Sequence, residues 1–196
     1  MKDLRLCVIG DELVAGSGDP RALGWLGRVL ARTDMPDHAH VFPLARPRET
    51  TAQMAERWET EAYPRFAEDA DNRLIVGIGS ADVEAGLSTA RTRLALANIV
   101  DIAMQKNVSV LVVGPPPLRS SDSRQLRAVS DAAREVCDRR SIRFIDTYSP
   151  LATHDSWHDD LVMSSVGLPS QAGYGLLAWI VLHSGWYEWM GLEPRV

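Results

Sequence analysis

Short apolar runs alternate along the chain with longer stretches whose apolar positions recur at helical spacing. The runs predict strands over residues 4–9, 38–44, 73–78, 109–113 and 143–145. Between them the pattern predicts a helix over residues 20–32 with Trp25, Leu26, Val29 and Leu30 on one face. A second helix, capped by Thr50 or Thr51, carries Met54, Ala55 and Trp58. A long one over residues 87–106 offers Leu94, Ala97, Ile99 and Met104 for burial, and two more cover residues 123–139 and 170–184. Gly114 and the three prolines after it stop the fourth strand. Strands joined by helical crossovers predict an α/β protein: a three-layer α/β/α, doubly wound, five-stranded parallel sheet of the flavodoxin-like type, in the order 2-1-3-4-5. Such sheets bind ligands beyond the carboxyl ends of their strands, so the chemistry is sought after Ile9, Leu44, Ile78, Val113 and Ile145.

Composition adds limits rather than functions. The 196 residues contain no Gly/Ser-rich, Pro-rich or like-charge linker, so one domain over residues 1–196 is expected. With 45% hydrophobic and 24% charged residues the chain has the make-up of an ordinary globular protein. A formal net charge of -5 leaves no basic stripe for neutralising phosphates, which argues against a nucleic-acid partner. The first apolar run is too short for a signal-peptide core or a membrane span, so no membrane partner and a cytoplasmic location are expected. Cys7 and Cys137 supply neither a disulfide framework nor metal-ligand spacing and are expected to be buried thiols. The aromatic segment Trp186, Tyr187, Trp189 offers either an anchor for a second copy of the chain or a cap on the last helix.

Three short blocks fall at strand-to-helix junctions. Gly10-Asp11-Glu12-Leu13-Val14-Ala15-Gly16 follows the first strand and Gly79-Ser80-Ala81-Asp82 the third. Gly167-Leu168-Pro169-Ser170-Gln171-Ala172-Gly173-Tyr174 opens the last helix. Together, and in this order, they resemble the Gly-Asp-Ser-Leu, Gly-x-Asn-Asp and Asp-x-x-His-Pro-Ser blocks of the SGNH/GDSL-type hydrolases.

The resemblance implies acyl-transfer chemistry: a Ser attacks an ester, a His three residues after an Asp takes its proton, and nearby donors hold the oxyanion. Carried over position by position, the nucleophile becomes Glu12, the Asn donor Ala81, the His Leu168 and the Asp Ser165, while the oxyanion Gly becomes Arg48. Leucine takes no proton and alanine donates no side-chain hydrogen bond. The resemblance therefore implies a non-hydrolytic member, with no cofactor and a pocket that binds a small molecule or partner. The alternative is an active esterase on an ester or acylated sugar, with a displaced base at His154 or His158 in a hydrophilic loop and a nucleophile at Ser17, Ser80, Ser164 or Ser165. Asp11 and Asp82 are expected beside the pocket; with Glu12 they invite a hard-cation site, but the matching acidic positions read as structural and no metal is expected. Glu12 is expected to pair with Arg48, or with another cation at the strand ends.

Overall fold

The computed structural model describes residues 2–119 and 121–194. Five parallel strands, β1 (Leu4–Gly10), β2 (Ala39–Ala45), β3 (Asp71–Gly77), β4 (Ser109–Val113) and β5 (Arg143–Ile145), form one sheet in the order β2-β1-β3-β4-β5. The register is continuous: Leu4 pairs with Ala39 and Asp71, and Val113 with Gly77 and Ile145. The helices are α1 (Glu12–Ala15), α2 (Gly24–Leu30), α3 (Thr51–Ala62), α4 (Ala81–Glu84), α5 (Thr89–Gln105), α6 (Ser123–Asp138), α7 (Tyr148–Leu151), α8 (Asp155–Met163) and α9 (Gln171–Val181). A π-helical turn at Leu182–Trp186 leads into α10 (Tyr187–Met190).

The strand alternation divides the buried residues into two cores, one on each face. Leu4, Leu6 and Val8 of β1 turn toward α1, α2, α8 and α9, where Trp25, Trp157, Tyr174 and Leu177 pack. Cys7 and Ile9 turn the other way, toward α3, α5 and α6, and meet Met54, Trp58, Leu96 and Val129. Both cysteines are free and buried, and burial pushes each thiol up to about 12.

Several elements depart from the sequence expectation. In α5 the buried residues are Thr92, Ala95, Leu96, Ile99, Val100 and Ala103. Leu94 and Met104 fall off that stripe and are 73% and 45% exposed, and Ala97 is only half-buried. The helix expected over residues 20–32 is shortened to α2, because Ala22 and Gly24 take left-handed backbone conformations. The buried carboxylate of Asp19 holds that turn, accepting from the backbone N–H groups of Arg21, Leu23 and Gly24 and pairing with Arg28. The Arg28 hydrogen bond holds the Asp19 carboxyl down at about 2.

The hydrophilic loop expected around His154 and His158 is α8. Trp157 and Leu161, four residues apart, face inward, and the Trp157 Nε1 donates to the Pro117 carbonyl at 2.7 Å. The C-terminal aromatic residues largely turn into their own chain. Trp186 is fully buried with Nε1 donating to Thr33 Oγ1 at 2.9 Å, and Tyr187 Oη donates to the Arg32 carbonyl at 3.0 Å. Arg73 lies over the half-buried Trp189 ring. Trp179, on the outer side of α9, is the exposed tryptophan of this region.

Candidate active site

In a parallel sheet all carboxyl ends share one edge, so Gly10, Ala45 and Gly77 deliver three loops to the same place. At the end of β1, Asp11 caps α1: its Oδ1 accepts from the Leu13 N–H at 2.9 Å. The rest of that carboxylate fills a notch at Gly79, where a Cβ would come within 1.5 Å of Asp11 Oδ2, so only glycine fits. Burial is the main cause lifting the Asp11 carboxyl to about 7, with the charge of Glu12 next and that of Glu84 adding to it.

Glu12 opens α1 and reaches across to the loop after β2. Its Oε2 accepts from the backbone N–H of Arg48 at 2.6 Å. This corrects the expected ion pair: Glu12 meets the backbone of Arg48, and the Arg48 guanidinium is exposed and forms no ion pair among the described residues. Arg48 stands at φ 57, the left-handed conformation that glycine adopts without strain.

The loop itself is pinned from several sides. The Arg46 N–H donates to the Gly10 carbonyl at 2.8 Å, and buried Glu49 pairs with Arg57, which also donates to the Leu44 carbonyl at 2.7 Å. Thr50 caps α3 in a reciprocal pair with Gln53. Asp82 is spent on the framework: it accepts from the Thr51 N–H at 2.7 Å and from the hydroxyls of Thr51 and Thr92, both at 2.6 Å. Ala81, beside it, is buried and offers only a methyl group.

The segment before α9 closes on the same edge. Asp160 of α8 accepts from the Ser170 N–H at 2.7 Å and from the Ser170 hydroxyl, and Tyr174 Oη donates to the Ser17 carbonyl at 2.7 Å. These ties set Pro169 and half-buried Leu168 against the turn after α1. A Cβ on Gly18 (φ 90) would come within 2.8 Å of the Pro169 carbonyl and 3.1 Å of Leu168 Cβ. Ser165 lies in the exposed turn just before. Beneath α1, the apolar walls formed by Trp25, Leu177 and Val181 enclose with Asp11 a cavity of only about 10 Å³, room for one water. A wide groove of about 820 Å³, lined by Asn107, Ser109 and Arg143, lies at the opposite edge, where the strands begin.

The GDSL-like lipase/acylhydrolase family model matches residues 8–176, most of the chain, including Glu12, Arg48, Ala81, Ser165 and Leu168. The chain belongs to this family. Its fold is that of solved structures which include a lipase/acylhydrolase from Enterococcus faecalis, 23% identical over 98% of this chain and 100% of that one, with a TM-score of 0.75. A psychrotrophic esterase from Pseudoalteromonas sp. is 15% identical over 95% and 99%, with a TM-score of 0.72. A member of the lipolytic protein G-D-S-L family from Veillonella parvula is 16% identical over 90% and 95%, with a TM-score of 0.70. No curated protein sequence matches the chain.

The five family positions carried over from the sequence behave unequally in this GDSL-type fold. Glu12 and Arg48 are in direct contact, Ala81 opens α4 beside Asp82, whose carboxylate is bonded to Thr51 after the same loop, and Leu168 lies against Gly18 after α1, whereas Ser165 is in an exposed turn. Neither histidine proposed as a displaced base is joined to a hydroxyl. The His158 Nε2 meets the Ala152 carbonyl at the end of α7, at 2.9 Å, and His154 occupies the N-cap of α8. Among the described residues no histidine nitrogen is hydrogen-bonded to a serine, threonine or cysteine side chain. Ser80 does meet a carboxylate, Glu84 Oε1 at 2.7 Å, but it is buried. Glu84 and Asp160 escaped the sequence reading, although Glu84 lies one helical turn from Ser80, a spacing that could have drawn attention to it.

No group of three or more acidic, histidine or cysteine side chains among the described residues is placed to hold a metal ion. None of the described helices is long and apolar enough to cross a membrane.

Proposed function

We propose that this chain is a non-hydrolytic member of the GDSL-like family, in which the vacated catalytic centre serves to bind a small ligand or partner. The observation that carries the reading is the Glu12 carboxylate bonded to the Arg48 N–H. A carboxylate at the nucleophile position is a poor substitute for an activated hydroxyl, and here it also consumes the backbone donor at the position carried over from the oxyanion Gly. Leu168 and Ala81 supply neither a base nor a side-chain donor. Losing a nucleophile or base from such a unit costs on the order of 10⁶ in turnover, and the residual ~10³ to 10⁴ depends on an intact oxyanion hole. Two buried, unpaired thiols fit a reducing compartment, in keeping with a cytoplasmic location.

The test is turnover of short p-nitrophenyl esters by the unmodified protein and by Glu12→Ser. Neither is expected to exceed a noncatalytic protein control, because a serine at position 12 still has leucine where the base belongs. The rival reading, an esterase with a displaced base, requires measurable turnover that His158→Ala or His154→Ala abolishes.

A further inference from the structure

Helices α2 and α9 lie side by side over one face of the sheet and share an outer surface built from uncharged residues. From Gln171 to Leu182 the chain has no Asp, Glu, Lys or Arg, and the one charged residue of α2, Arg28, is buried and paired with Asp19. On that surface Leu176 is half-buried, Ala172 and Leu23 are exposed, and Trp179 is 60% exposed. One helical turn before Trp179, a Cβ on Gly175 would meet no atom within 4 Å, so the surface there is open. Just past the end of α9 lies a groove of about 510 Å³, walled by Ala31, Leu182 and Tyr187 and bordered by Arg32 and Glu188. His183 lines this groove and also stacks on Trp179, with ring centroids 4.3 Å apart, so a projecting indole and a hollow stand next to each other.

A ring beside a hollow is self-complementary: a two-fold axis running between them, in the plane of contact, seats each ring in the hollow of the other copy. The charges favour the same occupant. The chain carries a net charge of -5, so two copies repel on approach except through a face that lacks carboxylates. The rim of the groove adds one cation, Arg32, and one anion, Glu188, itself paired with Arg143. Two helices about 10 Å apart, followed over about 20 Å, present roughly 400 Å² per copy. With the groove walls included, two such faces bury on the order of 1,000 Å², the lower end of the range for specific association, which calls for measurement at micromolar concentrations and above. We propose that this chain forms a two-fold dimer through the outer face of α2 and α9, with Trp179 of each copy seated in the groove of the other.

The experiment is analytical ultracentrifugation of the whole protein between about 1 and 300 µM. The average mass should rise with concentration toward that of two copies and stop there. Trp179→Glu and Gly175→Lys each place a charge on the face, and each acts twice across a two-fold contact, so either should weaken the dimer by a factor on the order of 100 or more. Both positions are open in the single copy, and an unchanged thermal midpoint checks that each variant folds; should Trp179→Glu fold poorly, Gly175→Lys carries the test. Leu94→Glu and Met163→Glu, at exposed apolar residues away from the face, should leave the dimer intact. A protein that stays single over the whole range, association that persists in the folded Trp179→Glu and Gly175→Lys variants, or growth past two copies overturns the proposal. So does a single-copy protein that floats with phosphatidylcholine vesicles in a Trp179-dependent way, since the face would then meet a lipid surface.

Discussion

Replacing Arg48 by glycine should stabilise the protein, although it deletes a large side chain. Arg48 holds φ 57, and a left-handed backbone costs a residue with a Cβ roughly 1–2 kcal/mol. Glycine removes that penalty but brings greater freedom to the unfolded chain, a cost of about 0.5–1 kcal/mol. The guanidinium is exposed and forms no ion pair among the described residues, so its loss subtracts little, and the net gain is about 0–1.5 kcal/mol. Arg48→Ala is the matched control: it keeps the Cβ and the backbone N–H that serves Glu12, so it should lie within about 0.5 kcal/mol of the parent. For the same reason a double-mutant cycle between Glu12→Ala and Arg48→Ala should show coupling below about 0.5 kcal/mol, since the bond runs to the main chain. The assay is urea unfolding at pH 7 with the slope checked for constancy. If Arg48→Gly is no more stable than Arg48→Ala, the strain argument fails, and with it the idea that Arg48 occupies a position shaped for glycine.

The Asp11 carboxyl, raised to about 7 against an ordinary 3.8, is neutral in the fold at pH values where the unfolded chain ionises it. Its contribution therefore falls as pH rises from about 4 to 7. Asp11→Asn keeps the cap on α1 and should be more stable than the parent at pH 8, by at most about 4 kcal/mol, with the advantage vanishing toward pH 4 in a series of urea midpoints. Asp82→Ala strands one buried N–H and two buried hydroxyls and should cost about 3 kcal/mol or more, measured as a lowered thermal midpoint, whereas Asp82→Asn should cost less. A normal midpoint for Asp82→Ala would remove Asp82 from the framework and return it to the list of site residues. Ellman's reagent should leave Cys7 and Cys137 unmodified in the folded protein and label both after unfolding; rapid labelling of the native state would contradict their burial.

The sheet was legible because its strands are buried on both faces and end at sharp breakers, so a run such as Val110–Val113, closed by Gly114, has few other readings. The start of α2 was not, because it is decided by Asp19 gathering three backbone donors and Arg28, a tertiary arrangement with no periodic trace. Similarly, α8 hides in a polar run because only Trp157 and Leu161 mark its inner face. At the site, the residue types followed from the resemblance, but the partner of Glu12 did not. Charge suggests the guanidinium of Arg48, while the fold presents its N–H, and a positive φ on an arginine leaves no mark in the sequence. Trp186 shows the same limit from the other side: aromatic composition alone does not tell a sticky surface from a residue folded back onto Thr33.

Refilling Glu12, Arg48, Ala81, Ser165 and Leu168 with the residues of the family pattern asks whether a GDSL-type centre stands vacated there. The combined variant Glu12→Ser, Arg48→Gly, Ala81→Asn, Ser165→Asp and Leu168→His is treated with a serine-directed fluorophosphonate beside the unmodified protein, and both are read by intact mass. One adduct is expected on the folded variant, mapped to position 12, and none on the unmodified protein. An adduct on the unmodified protein, or a folded variant that stays unlabelled, would contradict it.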